Sequence, residues 1–255
     1  MSENNVTEFT LSPVNVKVYF ENIQSVSEEQ YALIRRGGLG ASDASVFMGL
    51  MTKFNKDIPG LINEKLSTGI SDDERAVGKK DSVRKGRDLE DMILEKFAKV
   101  HGCEKPIKPQ HMYQICSAEY LTANFDGVMR EADCYIPVEC KFVTTFGDKY
   151  YDRDVAYERE FPVDYIGHSG VIAFPKDDVI KMCEARAKHY GIPAYYYVQI
   201  QQQMLGLGSP YGYLAALHDK GWELCIYKIP RDEDVIHAIV VTGYKVSSQI
   251  EKRRT

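Results

Sequence analysis

Phe125-Asp126-Gly127-Val128 is followed by Val138-Glu139-Cys140-Lys141, whose glutamate stands thirteen residues after the aspartate. Both stretches are apolar and typical of β-strands, yet together they carry two carboxylates and one lysine. A buried strand has little reason to hold such charges unless they act together. Binding of a divalent metal ion with hydrolysis of a phosphodiester is the chemistry that uses this set.

The alternation of a β-strand places these charges on one side of a sheet. Successive strand residues point to opposite faces, so Glu139 and Lys141 share a face while Cys140 points into the apolar layer. If the two strands are neighbours, Asp126 can lie opposite Glu139. Two carboxylates with a main-chain carbonyl and waters form the oxygen-rich set that Mg²⁺ prefers. Lys141 would position the attacking water or accept its proton, and its ammonium would stabilise the transition state.

The triplet Glu139-Cys140-Lys141 alone has another interpretation, an exposed ion pair on an edge strand. Such a pair would need neither a carboxylate on a neighbouring strand nor apolar flanks. The upstream Asp-Gly turn and the apolar flanks of both stretches therefore favour the metal site.

Two polar residues outside these strands are candidates for the same centre. Glu90 lies at the edge of the apolar stripe of a predicted helix over 86–100, where a third carboxylate could hold a metal-bound water. The alternative is a solvated helix glutamate. Gln201 faces inward on a predicted helix over 194–207 and would bond the nucleophilic water or a metal ligand. The alternative is a core amide with structural partners.

Arg35 precedes a glycine-rich turn that leads to Ser42, the predicted N-cap of the next helix. A helix N-terminus beside an arginine is a typical phosphate site, because backbone N–H groups and a guanidinium both donate to phosphate oxygens. The alternative is a pair of surface arginines, since Arg36 follows directly.

Bulk composition sets limits on the class of protein. The chain has 255 residues, of which 44% are hydrophobic, and a formal net charge of −5. This charge argues against a general nucleic-acid coating protein but allows an enzyme with one basic groove. No apolar run has transmembrane length, and the polar start MSENNVTEFT is unlike a signal peptide, so a cytoplasmic protein without membrane contact is expected.

Cysteine spacing indicates no zinc site. The six cysteines stand at 103, 116, 134, 140, 183 and 225, and no two form a C-x-x-C pair. In a cytoplasmic chain they are interpreted as small buried apolar residues.

The predicted elements alternate between helices and strands, which indicates an α/β fold with helices flanking a central mixed sheet. Two further segments are predicted to be loops: the polar segment 67–85 and the irregular, tyrosine-rich segment 147–170. The predicted order is a strand at 14–20, helices at 27–36 and 86–100, strands at 111–116, 121–129 and 134–143, helices at 177–190 and 194–207, a hairpin of 211–217 and 222–229, and a final helix at 231–252.

Taken together, five segments resemble the lambda-exonuclease-like (YqaJ-type) viral recombinase family of the PD-(D/E)xK nucleases. Their order agrees with the family, and they span residues 35 to 205. The segments are Arg35 to Ser42, Gly86 to Glu90, Phe125-Asp126-Gly127, Glu139-Cys140-Lys141 and Gln199-Ile200-Gln201. Phe125 replaces the nominal proline, and the roles of segments 51–85 and 145–192, including any contacts with a DNA end, stay open.

The resemblance implies a single nuclease domain over 1–255, with a restriction-endonuclease-like core at about 28–230 and the C-terminal helix after it. It also implies a role for each matched residue. Mg²⁺, with Mn²⁺ as a substitute, would be held by Asp126, Glu139 and the main-chain carbonyl of Cys140; Lys141 would serve the nucleophilic water; Glu90 and Gln201 would support the water and a second metal ion; Arg35 and Ser42 would bind a 5′-terminal phosphate.

The family degrades one strand of duplex DNA from its 5′ end, forms ring-shaped homotrimers and acts with a single-strand annealing protein in phage recombination in bacteria. The resemblance implies the same partners here, with double-stranded DNA ends as substrate. Only Cys183 and Cys225 lie in the C-terminal third of the chain, far apart, so no iron–sulfur cluster is expected. The alternatives are a repair or restriction endonuclease built on the same site, and a catalytically silent DNA-binding protein.

Overall fold

The structure is a computed structural model that describes residues 14–50, 57–69, 81–159 and 178–254. Within these ranges the strands form two sheets, and helices pack on both faces of the larger one. The strands are β1 (Val16–Phe20), β2 (Leu39–Gly40), β3 (Met112–Ile115), β4 (Leu121–Ala123), β5 (Gly127–Glu131), β6 (Cys134–Val143), β7 (Glu158–Arg159), β8 (Tyr211–His218) and β9 (Leu224–Pro230). The helices are α1 (Glu28–Ile34), α2 (Ala44–Phe47), α3 (Ile58–Leu66), α4 (Asp81–His101), α5 (Thr145–Asp148), α6 (Val179–His189), α7 (Ala194–Leu207) and α8 (Glu233–Arg254).

The larger sheet has the strand order β5-β6-β8-β9-β7. The β6–β8 pair is parallel and the other pairs are antiparallel, so the sheet is mixed, as predicted. The smaller sheet has the order β1-β3-β4-β2, with β2 parallel to β4.

One predicted strand, 121–129, is in fact two strands that belong to different sheets. The chain leaves β4 at Ala123 and enters β5 at Gly127. Between them Asn124 gives its carbonyl to Gln203, Phe125 is buried among apolar residues, and the Asp126 carboxylate bonds the backbone of β6. These contacts take the backbone of 124–126 out of any ladder, and they bring Asp126 to the junction of the two sheets.

The faces of the larger sheet divide the side chains of β6 into two groups. Ile136, Val138 and Cys140 pack with Phe97 and the rest of the apolar stripe of α4. Glu139 and Lys141 point to the other face, where α7 packs. The predicted burial of Cys140 in the apolar layer is therefore confirmed.

Where the sequence has capping residues, a terminating glycine or an apolar periodicity, these features mark the helix boundaries. Ser27 and Gln30 form a capping box at the start of α1, with bonds of 3.2 and 2.9 Å. Helix α7 has the predicted bounds and ends at Gly208, which has a φ of 66°. Helix α4 begins at Asp81 rather than at 86, because its polar first turns carry no apolar periodicity that would reveal them. The predicted loops at 67–85 and 147–170 lie partly outside the described residues, at 70–80 and 160–177.

No helix in the described ranges combines the length and the apolar character needed to cross a bilayer.

Candidate active site

Asp126 and Glu139 are the residues that directly follow the last pair of the β5–β6 ladder, Gly127 with Val138. Asp126 Oδ2 accepts a hydrogen bond of 2.9 Å from the backbone N–H of Cys140. A strand residue directs its N–H and its C=O to the same side, so the Cys140 carbonyl also faces this side.

Gly127 allows this close approach. A Cβ at position 127 would lie 2.5 Å from a methyl carbon of Leu94 and 3.2 Å from Pro106. Any larger residue after Asp126 would therefore force Leu94 or the strand β5 itself to shift.

Glu139 is a buried carboxylate, with 1% of its surface exposed. Its Oε1 accepts hydrogen bonds from Lys141 and Gln199, and its Oε2 accepts one of 2.7 Å from Gln203. Burial of an ionised carboxylate is costly unless each oxygen has a donor. The three donors, one from β6 and two from α7, therefore fix Glu139 in place.

The protonation of the centre depends on these close contacts. Burial and the neighbouring Glu139 raise the pKa of Asp126 to about 8, and the Lys141 ammonium opposes part of this rise. Burial alone would lower the pKa of Lys141, but Glu139 and Asp126 outweigh it and hold this pKa above its ordinary value. The Lys141 ammonium also lies 4.9 Å from the centre of the Tyr196 ring. Lys141 is therefore a cation in this arrangement.

Arg35 and Ser42 meet on a separate segment of the chain. Arg35 Nη2 donates to Ser42 Oγ at 2.7 Å and lies 3.7 Å from Asp43 Oδ1. The buried Lys65 ammonium donates to Asp43 at 2.7 Å and to the Arg35 carbonyl, also at 2.7 Å. Two cations thus share one carboxylate, which leaves this corner positively charged.

One cavity of about 160 Å³ joins the two groups. The two carboxylates, the lysine, the arginine and the serine all line it. Its lining residues are Tyr31, Arg35, Gly40, Ala41, Ser42, Met112, Thr122, Asn124, Asp126, Glu139, Lys141 and Gln199. The cavity therefore joins the positively charged corner to the pair of carboxylates.

The model of the YqaJ-like viral recombinase domain matches residues 30–168, more than half of the chain. The chain belongs to the YqaJ-like viral recombinase family. This membership confirms the predicted family and supports a nuclease activity.

Two solved structures resemble the YqaJ-like chain over most of its length. LHK-Exo in complex with dAMP is 15% identical with a TM-score of 0.56, covering 88% of this chain and 93% of that chain. The alkaline exonuclease LHK-Exo from Laribacter hongkongensis is 13% identical with a TM-score of 0.55 and the same coverage. At such identities the likeness shows the fold, and it agrees with the predicted α/β class. No curated protein matches the chain.

Six of the eight residues predicted for the YqaJ-like site lie together. Five of them line the cavity, namely Arg35, Ser42, Asp126, Glu139 and Lys141, and the main chain of Cys140 borders it through its bond to Asp126.

Gln201 does not join the others, and its placement in the site was wrong. Its Nε2 donates to the Pro230 carbonyl and its Oε1 accepts from the Asp232 N–H, each at 2.9 Å. Both ends of the amide therefore join α7 to the start of α8, as in the alternative interpretation. Its position two residues from Gln199 on a helix turns it away from Glu139.

Glu90 lies at the rim of the YqaJ-like site and is already paired. Its Oε2 accepts from Lys108 Nζ at 2.6 Å. It remains close enough to raise the pKa of Asp126 further. Its predicted contact with a metal-bound water or a second ion stays a prediction.

Ser42 is not the helix N-cap that the sequence predicted. It lies inside a 3₁₀ turn, Ala41–Asp43, and no side chain caps the four-residue α2. The Asp43 carboxylate accepts from the Gly40 N–H at 2.8 Å, while the Ser42 hydroxyl faces Arg35. The serine is free of a capping role because the turn before it is closed by Asp43.

Sequence reasoning missed Gln199 and Gln203, the amides that hold Glu139. Residues four apart share a helix face, so Gln199 and Gln203 form one row, and Tyr196 lies on the same side. The signal was this i, i+4 spacing of two glutamines.

The donor set suits a hard divalent cation. Asp126 and Glu139 supply carboxylate oxygens, the Cys140 main chain supplies a carbonyl, and the cavity has room for several waters. In the part of the chain that the structure describes, no group of three or more His, Cys, Asp or Glu side chains is arranged to hold a metal ion. Asp126, Glu139 and the Cys140 carbonyl would supply three oxygen ligands, which fits an ion that keeps much of its hydration.

Proposed function

We propose that this protein is a Mg²⁺-dependent exonuclease that digests one strand of linear double-stranded DNA in the 5′-to-3′ direction. The single-stranded product would serve recombination by annealing. One observation carries the proposal: Arg35 and Ser42 share a cavity with Asp126, Glu139 and Lys141. A corner that binds a terminal phosphate, beside carboxylates suited to hydrolysis, is what an enzyme needs to start at a 5′ end.

Asp126, Glu139 and the Cys140 carbonyl would hold the Mg²⁺ ion. Mn²⁺ would substitute, because it accepts the same hard oxygen ligands. When bound, the ion would lower the pKa of a water and stabilise charge on phosphate oxygens.

Lys141 would act through its ammonium group. It donates to Glu139 and stacks on Tyr196, so its position is fixed from two sides. A fixed cation beside the scissile phosphate would stabilise the charge that develops in the transition state. Gln199 would orient Glu139 and, through it, the ligand set.

Arg35 would bind the 5′-terminal phosphate. Its side chain is 37% exposed, and only part of its fork of five donors is engaged by Ser42 and Asp43. The remaining donors can meet phosphate oxygens, and the Ser42 hydroxyl can donate a further bond. The buried Lys65 neutralises Asp43, which preserves the positive charge of this corner.

The test uses end-labelled linear duplex DNA with Mg²⁺, comparing 5′-phosphate with 5′-hydroxyl ends. We expect mononucleotides from one strand, faster release from phosphorylated ends, and no digestion in EDTA. A covalently closed circle is the matched substrate without an end. Cutting of that circle would instead identify the endonuclease alternative, and binding of duplex without any cleavage would identify the silent DNA-binding protein.

We also propose a ring-shaped homotrimer and a single-strand annealing partner, both on the basis of family membership. Sedimentation of the full chain tests the first, with a mass of three chains expected against the monomer mass of 29.0 kDa. A single species at monomer mass under all conditions would contradict it.

A further inference from the structure

The ammonium of Lys108 lies at the rim of the candidate metal centre. Lys108 Nζ is 2.6 Å from Glu90 Oε2, and the side chains are 36% and 20% exposed. Glu90 is the carboxylate predicted to support a second ion. The chain itself therefore supplies the positive charge that Glu90 requires.

The main chain holds Lys108 next to the start of β5. Ile107 and Val128 exchange both backbone hydrogen bonds, each 2.8 Å long, and Val128 stands two residues after Asp126. Pro106 and Pro109 flank this bridge and fix the local backbone dihedrals. Pro106 also packs against Gly127. The position of Lys108 relative to Asp126 is thus set by backbone contacts, not by the side chain alone.

The nearby Lys105 forms exposed surface ion pairs, with which the Glu90–Lys108 pair can be compared. It bonds Asp91 and Glu95 of the same helix α4 at 2.7 and 3.2 Å, but both carboxylates are more than 60% exposed. The Glu90–Lys108 pair differs because Glu90 is mostly covered and because both members lie within electrostatic range of Asp126. Lys108 therefore belongs to the centre, and Lys105 does not.

The charges around the centre favour a single divalent ion. The carboxylates Glu90, Asp126 and Glu139 face two ammonium groups, those of Lys108 and Lys141. The set carries one net negative charge, which one divalent ion more than neutralises. A second divalent ion beside Glu90 would have to displace the Lys108 ammonium or lie in contact with it. Two positive charges in contact repel each other strongly.

We propose that the Lys108 ammonium takes the place of a second divalent ion beside Glu90, so that the centre binds one metal ion per chain. This inference rests on the proposed metal-dependent function. The cavity agrees with this inference, since Asp126 and Glu139 line it and Glu90 does not. Lys108 is a positioning cation that anchors Glu90 and limits the number of ions.

The test counts Mn²⁺ bound per chain at equilibrium, from the electron paramagnetic resonance signal of free Mn²⁺, using the full-length protein. We expect one Mn²⁺ for the wild type and two for Lys108→Met, which frees Glu90. Lys108→Arg keeps a cation and should stay at one. The matched control is Lys105→Met, which removes a nearby lysine that also pairs with carboxylates of α4. This variant should also bind one Mn²⁺. Thermal melts with EDTA establish that each variant is folded.

Each outcome decides something. Two ions on the wild type, or one ion on a folded Lys108→Met variant, would overturn the inference while leaving the proposed function intact. No Mn²⁺ on the wild type would instead contradict the proposed function, and the inference would fall with it. A change from one to two in both Lys108→Met and Lys105→Met would show a general charge effect and would also overturn the specific role.

Discussion

Gln203 donates from Nε2 to Glu139 Oε2 at 2.7 Å and to the Asn124 carbonyl at 3.1 Å. One amide on α7 thus holds the buried carboxylate of the larger sheet and the chain segment that leaves the smaller sheet. The side chain has 1% of its surface exposed, so both bonds are shielded from water.

Replacing Gln203 should therefore cost stability as well as activity. Gln203→Met keeps the volume but leaves one oxygen of Glu139 and one backbone carbonyl without this donor. We expect a loss of about 1–3 kcal/mol in the free energy of unfolding, measured by urea denaturation. The control is Gln249→Met on the exposed face of α8, which should change this free energy by less than about 0.5 kcal/mol. Equal effects of the two substitutions would refute the bonding role of Gln203.

Lys141→Ala should abolish digestion of linear duplex DNA while leaving the fold and DNA binding. The rate should fall by at least about 10²-fold, the typical cost of losing one group that stabilises transition-state charge. Glu139 keeps its bonds from Gln199 and Gln203, so the protein should remain folded. Single-turnover rates and circular dichroism measure both effects. The control is Lys149→Ala, which removes an exposed lysine and should retain full activity. Retained digestion by Lys141→Ala would contradict the assigned role.

The two adjacent arginines should give opposite results. Arg35→Gln should remove the preference for 5′-phosphorylated ends, because a charge-assisted bond contributes about 1.5–3 kcal/mol, or roughly tenfold or more in KM. Arg36 is buried and donates to the carbonyls of Ser67 and Gly69 at 2.8 Å each, so Arg36→Gln should lower stability but keep the preference. The measurement is the ratio of KM values on phosphate and hydroxyl ends. A ratio near one in the wild type would contradict the role of Arg35.

The raised pKa of Asp126 gives a prediction for metal binding. A divalent ion binds the ionised carboxylate, so binding below pH 8 must release the proton that Asp126 holds. Affinity for Mn²⁺ should rise by up to about tenfold per pH unit between pH 6 and 8 and level off above. Calorimetry in two buffers of different ionisation enthalpy measures the proton release. A flat affinity across this range would show that Asp126 is ionised throughout.

The same shift determines how stability depends on pH in EDTA. The folded chain keeps a proton on Asp126 that the unfolded chain releases near 3.8, so the wild type should lose stability from this group as pH rises from about 4 to about 8. Asp126→Asn cannot ionise but can still accept from the Cys140 N–H. Relative to the wild type, this variant should therefore be more stable at pH 8 than at pH 5. Urea denaturation at the two pH values provides the comparison.

The facing carboxylates could be predicted because strand geometry is local and regular. The period of two places Glu139 and Lys141 on one face, and the antiparallel pairing of β5 with β6 brings Asp126 into the same cavity as Glu139. The glutamines that bond Glu139 could not be identified in the same way. Helix α7 is buried almost all around and carries four glutamines, so a polar face does not mark which amide meets the site, and only the i, i+4 spacing of Gln199 and Gln203 does.

Local sequence patterns do not predict contacts between residues that are far apart in the chain. Nothing in the sequence around Lys65 or Lys108 reveals a partner, because each pairs with a carboxylate 18 or more residues away. The N-cap prediction for Ser42 failed for a related reason. A residue's capping role depends on which neighbour closes the turn, and here Asp43 does so.

The three residues 124–126, where the chain passes from one sheet to the other, have a consequence for the product of the reaction. Arg35 and Ser42 flank β2 of the smaller sheet, Glu139 lies on β6 of the larger sheet, and Asp126 ends the connection between the two sheets. Under the proposed function, this short, tightly bonded connection would set the distance between the bound DNA end and the bond that is cleaved. The length of the connection, not the sequence of the DNA, would then determine how many nucleotides are removed in each step.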